Sequence, residues 1–254
     1  GTYHTAFPQY LLQLTGDPTM EELAWKYMIW YYNQMDVVYV PSNAMGRELA
    51  EKGIDERKIK LYPRGVDIQK FRPMPKDISE NRTLLYVGRV SKEKNLHILA
   101  GAFKKISPKY PDVILKIVGD GPYRSEMESV LSGYNVEFLG YVQGDDLVKT
   151  YSNADVFVFP STTDTFGNVA LEAQACGTPV IVTDSGGPME NIIPNETGII
   201  VKGEDENALA AGIKKLLDSN RLEQMSQKCR EYMEKRSFES AFLETWHLYE
   251  THIQ

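Results

Sequence analysis

Residues 157–184 constrain the fold more than any other part of the chain. They read FVFPSTTDTFGNVALEAQACGTPVIVTD, two apolar runs separated by a segment long enough for one helix. Such continuous apolar runs are typical of strands buried on both faces of a parallel sheet, and parallel strands need a crossover between them. The segment therefore predicts a strand, a helix that begins at Gly167 or Asn168, and a second strand over Val180–Thr183.

Polar residues gather where the first of these strands ends and the helix begins. In open α/β sheets this position is the ligand crevice. The first amides of the helix, at Gly167 and Asn168, lie at its positive end and suit a phosphate. Two carboxylates bracket the turn, Asp164 in the loop and Glu172 inside the helix. Glu172 is placed to bind a vicinal diol such as a ribose, although both carboxylates also fit ordinary loop and helix-surface roles.

From Thr83 onward, apolar runs alternate with segments of helical length. The predicted strands are a run from Thr83 that stops at Gly88-Arg89, then Val113–Val118, 136–139, Val156–Phe159 and Gly198–Val201. The predicted helices are Leu96–Ile106, one after Pro122, 145–153, 206–218, 222–235 and Phe238–Ile253. This alternation predicts a doubly wound parallel sheet with its strand-end loops along one edge. Residues expected along that one crevice are Arg89, Lys94, Gly119, Tyr141, Asp164 and Glu172.

The residues before Thr83 predict only part of another domain. We expect GTYHT to be a short strand, 19–34 a helix, 36–42 a strand followed by a helix to Lys52, and 59–62 a strand. Residues 63–82 are polar, punctuated by proline and without periodicity, which indicates a linker. Because the first residue is glycine rather than methionine, we expect a piece of a longer polypeptide.

The predicted helix 19–34 carries many aromatic side chains. They include Trp25, Tyr27, Trp30 and Tyr31. Aromatic residues at helical spacing usually pack into a core, so we interpret this segment as a core helix. A face that docks an acceptor or touches a membrane is the alternative.

Composition narrows the class of protein. The chain has 254 residues, a quarter of them charged, with a net charge of −7 and no basic run, which argues against a nucleic-acid partner. Its two cysteines, Cys176 and Cys229, form no disulfide or metal pattern and fit a reducing compartment. No apolar run approaches the roughly 18 residues of a membrane span. We therefore expect a cytoplasmic protein.

The turn VGDGPYR invites comparison with dinucleotide-binding folds. Arg124 occupies the place of the third glycine, and an isolated GxG is a weak signal, so a nicotinamide dehydrogenase is disfavoured. Arg89 and Lys94 are more informative, because two cations just beyond one strand can neutralise a diphosphate. A solvated loop is the alternative for these two residues.

Taken together, the motifs resemble the retaining glycosyltransferases of the GT-B fold, family four. The motifs are GVDIQKFRP, GRVSKEKN, VGDGP, FLGYV, PSTTDTFGNVALEAQACGTPVI, SGGPMENI and NETGIIV. The resemblance implies an α/β protein with a partial N-terminal Rossmann-like domain and linker over 1–75. A complete C-terminal Rossmann-like doubly wound parallel sheet would follow over 76–236, and a helix over 237–254 would brace the two domains.

The resemblance also implies roles for individual residues. Arg89 and Lys94 would bind the diphosphate and stabilise the departing nucleotide, and Glu172 would bind the ribose. Asp164 would contact the donor sugar, at a position where the family usually has glutamate, and His4 would face that sugar across the cleft. The remaining expected donor-binding residues are Gly88, Gly119, Tyr141, Val142, Phe166, Gly167 and Asn168.

The implied reaction moves a sugar from a UDP-, GDP- or ADP-linked donor to an acceptor hydroxyl, with retention, in glycan or glycolipid synthesis. No DxD-type carboxylate pair is present, so we expect no metal and no other cofactor. Two alternatives stay open: a glycoside hydrolase that uses Asp164 and Glu172, and a non-catalytic fragment that binds the nucleotide sugar. A lipid acceptor, with peripheral membrane contact of a longer parent protein, is also open.

Overall fold

A computed structural model describes residues 1–253, with every side chain except those of residues 13, 252 and 253. Gln254, the last residue of the predicted brace, lies outside this range. Within it the chain forms two units, each built on a parallel sheet. A two-stranded sheet belongs to the first unit and a six-stranded sheet to the second.

The first unit carries three α-helices and both strands of the small sheet. In chain order they are α1 Phe7–Thr15, α2 Pro18–Asn33, β1 Val38–Val40, α3 Asn43–Lys52 and β2 Ile59–Leu61, with a 3-10 helix at Glu56–Lys58. Buried Tyr3, Trp25, Val38 and Leu49 lie in one small core between the helices and the strands.

The second unit alternates strands and helices. Its elements begin with β3 Arg82–Val87, α4 Leu96–Ile106, β4 Val113–Val118, α5 Arg124–Val130, β5 Val136–Gly140 and α6 Gly144–Asn153. They continue with β6 Val156–Phe159, α7 Asn168–Ala175, β7 Val180–Thr183, β8 Gly198–Val201, α8 Glu206–Leu217, α9 Leu222–Glu234 and α10 Phe238–Ile253. Short 3-10 helices occupy Lys92–Lys94 and Pro188–Asn191.

The strand order of the large sheet locates the ligand crevice. All its strands are parallel, in the order β5-β4-β3-β6-β7-β8. The chain proceeds from β3 to one edge and then returns to place β6 on the other side of β3. The loops that follow β3 and β6 therefore diverge at a topological switch point, where doubly wound folds bind ligands. The predicted α/β fold class is confirmed.

In the first unit one prediction is wrong and one helix was not predicted. The segment GTYHT is not a strand, because only Thr2 forms an isolated bridge, to Tyr39 of the three-residue strand β1. The sequence interpretation also missed α1, which has a proline in its first turn. Proline suits that position, since its fixed φ is already helical and the missing N–H would have had no partner.

The aromatic helix α2 is buried on one side only. Trp25 and Met28 are buried, as expected of a core helix. Tyr27 and Trp30, in contrast, are 62% and 61% exposed, with Tyr31 beside them at 41%. The core interpretation thus holds for one face of α2 and fails for the other.

The segment between the units and the last helix tie the two units together. Arg230 of α9 donates from Nη1 to the carbonyl oxygens of Ile68, Phe71 and Ala175, at 3.0–3.3 Å. The start of α10 is held by the Val66 carbonyl, which accepts from the Phe238 amide at 3.0 Å. Farther along α10, the Tyr249 ring lies edge-on to that of Tyr39, 5.1 Å between centroids. Thus α10 contacts both units.

Close packing of two strand ends explains one glycine of the VGDGP turn. Gly119 has φ +119°, and a Cβ added there would lie 2.0 Å from the carbonyl oxygen of Gly88. The turn after β4 is therefore pressed against the turn after β3, and only glycine allows this approach.

We predict that Gly119→Ala destabilises the protein by about 3 kcal/mol or more, because the backbone strain is joined by a clash with backbone. Gly133→Ala is the matched control: its φ is also positive, +84°, but an added Cβ would meet nothing within 4 Å. It should cost about 1–2 kcal/mol, the backbone term alone. Urea unfolding of both variants measures the difference, and equal losses would contradict the packing argument.

Candidate active site

A cavity of about 500 Å³ lies at the switch point, between the two units. Its first-unit wall includes His4, Gln9 and Tyr10. Its second-unit wall is formed by Gly88, Arg89, Lys94, Asp164, Gly167 and Asn168, together with their neighbours. The structure thus brings together all four predicted catalytic residues, which are Arg89, Lys94, Asp164 and His4.

Asn95 fixes the relation between the two loops that diverge at the switch point. It adopts a left-handed conformation, with φ +54°, directly after the 3-10 helix Lys92–Lys94. Its side-chain amide donates to the Pro160 carbonyl at 3.3 Å and to Thr162 Oγ1 at 3.0 Å. Asn95 therefore holds the loop of the predicted cations against the loop of Asp164. The sequence interpretation did not select this residue.

Lys94 and Asp164 form an ion pair inside the cavity. Lys94 Nζ lies 2.5 Å from Asp164 Oδ2, and both side chains are largely buried. Partial burial strengthens the attraction between two such charges. A ligand phosphate that binds Lys94 must therefore compete with Asp164, and hydroxyl groups on the same ligand can take the place of Lys94 at Asp164.

Arg89 contributes a second cation at the mouth of the cavity. Its Nη1 donates to Tyr10 Oη of the first unit at 3.3 Å and lies 3.9 Å from Glu93 Oε1. The hydrogen bond to Tyr10, followed by the charge of Glu93, raises the pKa of the Arg89 guanidinium. Arg89 is half exposed, so it can turn towards an incoming anion.

The loop 164–167 is held by hydrogen bonds to its backbone. Its three consecutive carbonyl oxygens accept from the Gly187 amide at 2.9 Å, from Ser42 Oγ at 2.9 Å and from Asn191 Nδ2 at 2.5 Å. Gly167 then takes φ +81° and precedes α7. The predicted helix start is confirmed, and Gly167, Asn168 and Val169 line the cavity.

Phe166 serves the packing of this loop. Its ring is buried, and the Arg64 guanidinium lies over it, 5.0 Å from the centroid. The predicted role of its backbone amide in donor binding stays a prediction.

Glu172 lies one helical turn beyond Asn168 and faces a different cavity. This cavity, about 480 Å³, is lined by Arg64, Phe71, Phe242 and their neighbours, and it adjoins the first at Asn168. Glu172 Oε2 accepts from Tyr151 Oη at 2.9 Å. Burial raises the pKa of the Glu172 carboxyl, and the hydrogen bond from Tyr151 opposes that shift in part.

The predicted crevice comprises three adjoining cavities. Gly119, Tyr141 and Val142 line a third cavity of about 480 Å³, which meets the first at Gly88 and Arg89. Tyr141 is 77% exposed there. The expectation that Gly119, Tyr141 and Glu172 line one crevice with Asp164 stays a prediction.

The backbone of His4 is attached to the loop 164–167. Its carbonyl oxygen accepts from Thr165 Oγ1 at 3.1 Å, and its Nδ1 lies 3.0 Å from Thr5 Oγ1. The His4 side chain is exposed to the cavity.

Within the described residues, no group of three or more His, Cys, Asp or Glu side chains could hold a metal ion. No helix in residues 1–253 is both long and apolar enough to cross a membrane.

Comparison with known families decides the class. Residues 67–236, well over half of the chain, match the family described as Glycosyl transferases group 1. The chain belongs to the glycosyl transferases group 1. Residues 1–70 match a second family, Glycosyltransferase Family 4. Both agree with the resemblance identified from the motifs.

Two curated relatives and one solved structure are similar to this group 1 chain. The sulfoquinovosyl transferase of Arabidopsis thaliana is 30% identical, over 94% of this chain and 49% of that protein. A GDP-mannose-dependent alpha-mannosyltransferase of Mycobacterium tuberculosis is 32% identical, over 80% of this chain and 53% of that protein. The crystal structure of HepE from Anabaena, in complex with UDP and glucose, shares the fold at TM-score 0.79 and 22% identity, covering 91% of this chain and 66% of that one. The chain thus spans about half the length of these two curated relatives.

We predict that the free energy of unfolding of Glu172→Gln increases relative to that of the wild type as pH rises. The folded carboxyl has a raised pKa, so its contribution to stability is fully present at acidic pH and is lost as pH rises through that value. Glutamine never ionises and still accepts from Tyr151. Thermal unfolding from pH 4 to pH 8 should show the melting temperature of the variant gaining on the wild type. A constant difference across this range would contradict the prediction.

Proposed function

We propose that this chain carries the donor site of a retaining glycosyltransferase that uses a nucleotide-diphosphate sugar. The observation that carries the proposal is the first cavity, where two cations, Arg89 and Lys94, meet the start of α7 beside Asp164 and His4. Cations and the positive end of a helix together form a diphosphate site. A carboxylate and an imidazole beside it provide hydrogen-bonding groups for a sugar.

The three cavities have an order that suits an extended donor. We assign the nucleobase to the cavity of Tyr141 and Val142 and the diphosphate and sugar to the cavity of Lys94 and Asp164. Glu172 is assigned to the ribose hydroxyls, which requires the donor to reach the side of α7 beyond Asn168. The relatives named for GDP-mannose and the Anabaena structure with UDP and glucose support a nucleotide-sugar donor without fixing its base.

The proposed chemistry is front-side displacement. The bond from the anomeric carbon to the β-phosphate oxygen breaks, and a bond from the same face to the acceptor oxygen forms. The acceptor proton passes to the departing phosphate. Arg89, Lys94 and the first amides of α7 stabilise the negative charge that develops on that phosphate.

The ion pair of Lys94 with Asp164 gives the site a preference for the intact donor. A diphosphate alone would take Lys94 and leave the largely buried Asp164 carboxylate without its cation. A donor sugar also brings hydroxyl groups that donate to Asp164. The sugar hydroxyls thereby replace the contact that Asp164 loses when Lys94 binds the diphosphate.

Of the rival functions, the hydrolase is disfavoured. A hydrolase that uses Asp164 and Glu172 gives no role to Arg89, Lys94 or the start of α7. In addition, Asp164 is already paired with Lys94. A non-catalytic donor-binding fragment stays the second candidate, because the chain spans about half the length of its curated relatives.

We predict that one nucleoside diphosphate among UDP, GDP and ADP binds this chain saturably in calorimetric titration. Lys94→Ala should weaken that binding at least tenfold, about 1.4 kcal/mol. The control is Lys92→Ala in the same 3-10 helix, whose side chain is 70% exposed and pairs with Glu126 instead. It should change the affinity less than twofold. Absence of binding to all three nucleotides, or equal losses in both variants, would contradict the donor site.

We propose further that no divalent metal is needed, because the two cations and the start of α7 provide the positive charge. We predict that transfer by a longer protein that contains this chain is unchanged in excess EDTA. Loss of turnover in EDTA, restored by Mg²⁺ or Mn²⁺, would overturn this part of the proposal.

A further inference from the structure

Glu190 reaches from the second unit to the start of a helix in the first. It lies in the 3-10 helix Pro188–Asn191, and its carboxylate accepts three hydrogen bonds from residues that begin α3. The donors are the Asn43 amide at 2.8 Å, Asn43 Nδ2 at 3.0 Å and the Ala44 amide at 2.7 Å. These contacts join residues 146–147 positions apart in the sequence.

The start of α3 depends on these acceptors. The first amides of a helix have no partner within it. The N-cap residue Ser42 satisfies the Met45 amide, at 3.3 Å. The amides of Asn43 and Ala44 take their acceptors from the other unit instead. A carboxylate is a favourable partner there, since the start of a helix carries partial positive charge.

Glu190 is also tied to the loop that holds Asp164. Its neighbours Gly187 and Asn191 donate to the carbonyl oxygens of Asp164 and Phe166. A Cβ at Gly187 would lie 2.0 Å from the Thr165 carbonyl oxygen, so the two segments are in direct contact. A displacement of the 3-10 helix Pro188–Asn191 must therefore displace the loop 164–167 as well.

The remaining carbonyl of this loop, that of Thr165, accepts a hydrogen bond from the first unit. Ser42 Oγ donates to the Thr165 carbonyl, and Thr165 Oγ1 donates to the His4 carbonyl. Ser42 thus caps α3 and also holds the loop 164–167, here called the donor loop. Closure of the cleft and the shape of the loop are determined by one continuous set of hydrogen bonds.

We infer that Glu190 is a positioning residue that clamps the first unit over the donor loop. By capping α3 across the cleft it keeps His4 and Tyr10 opposite Lys94 and Asp164. A donor sugar that orders the loop 164–167 favours the closed clamp, and the closed clamp favours that sugar by the same factor. The effect on sugar transfer rests on the proposed function, whereas the clamp itself does not.

Hydrogen exchange of the full 254-residue chain tests the clamp without any activity. In Glu190→Ala, the amides of Asn43, Ala44 and Gly187 should exchange at least tenfold faster. Exchange in β4 and β6 should be unchanged, which shows that the second unit is folded. Glu190→Gln retains one acceptor oxygen and should give an intermediate result. Glu196→Gln, which neutralises an exposed carboxylate in the same connection between β7 and β8, should behave as wild type.

A second substitution separates a clamp from a local helix cap. Asn43→Asp in the Glu190→Ala background returns a negative charge to the start of α3 but provides no link to residues 187–191. A clamp predicts that protection returns to α3 while Gly187 continues to exchange fast. The proposal is overturned if Asn43→Asp restores protection both in α3 and at Gly187. It is also overturned if Glu190→Ala alters exchange at neither place.

Nucleotide titration keeps the clamp distinct from the proposed function. Glu190→Ala should leave the affinity for a nucleoside diphosphate within threefold of wild type, because the cations are intact. In a longer active protein, kcat should fall at least tenfold in Glu190→Ala and recover partly in Glu190→Asp. Altered exchange with no nucleotide binding by the wild type would retain the clamp and reject the donor site. Unaltered exchange with normal nucleotide binding would reject the clamp and retain the donor site.

Discussion

Three carbonyl oxygens in succession, at residues 164–166, govern the architecture of the cleft. A loop that turns into a helix cannot satisfy these groups itself, and partly buried carbonyls must find donors. Their donors come from three places: the Gly187 amide, the Ser42 hydroxyl and the Asn191 side chain. Because one of them belongs to the first unit, the loop beside the cavity takes its shape from both halves of the molecule. The start of α7 follows from that shape.

Electrostatics in the cleft differ from those of the chain as a whole. The protein is acidic, with net charge −7, yet Arg89 and Lys94 stand together at the switch point. Each is already engaged, Lys94 by Asp164 and Arg89 by Tyr10 and by the carboxylate of Glu93. The site is therefore neutralised before any ligand arrives, so ligand binding exchanges existing contacts for new ones. Such exchange favours ligands that satisfy the displaced groups as well as the cations.

Sequence reasoning succeeded where local pattern determines structure and failed where distant segments meet. The bounds of α4, β4, β6, β7 and β8 were predicted as observed, because buried strands and amphipathic helices carry their signal in a few neighbouring residues. GTYHT was misread because pairing at Thr2 depends on Tyr39, not on its own residues. The site residues Arg89, Lys94 and Asp164 could be selected from charge at strand ends. Asn95, Ser42 and Glu190 could not, since their partners lie far away in sequence.

The capping of α3 has a consequence for how the chain is made. During synthesis, residues 43–52 leave the ribosome well before residue 190, whose carboxylate they need at their first turn. Tyr249, which packs against Tyr39 of β1, is translated later still. The contacts of α3 with Glu190 and of β1 with Tyr249 therefore form only after most of the second unit has been produced. The first unit thus completes these contacts last although its residues come first.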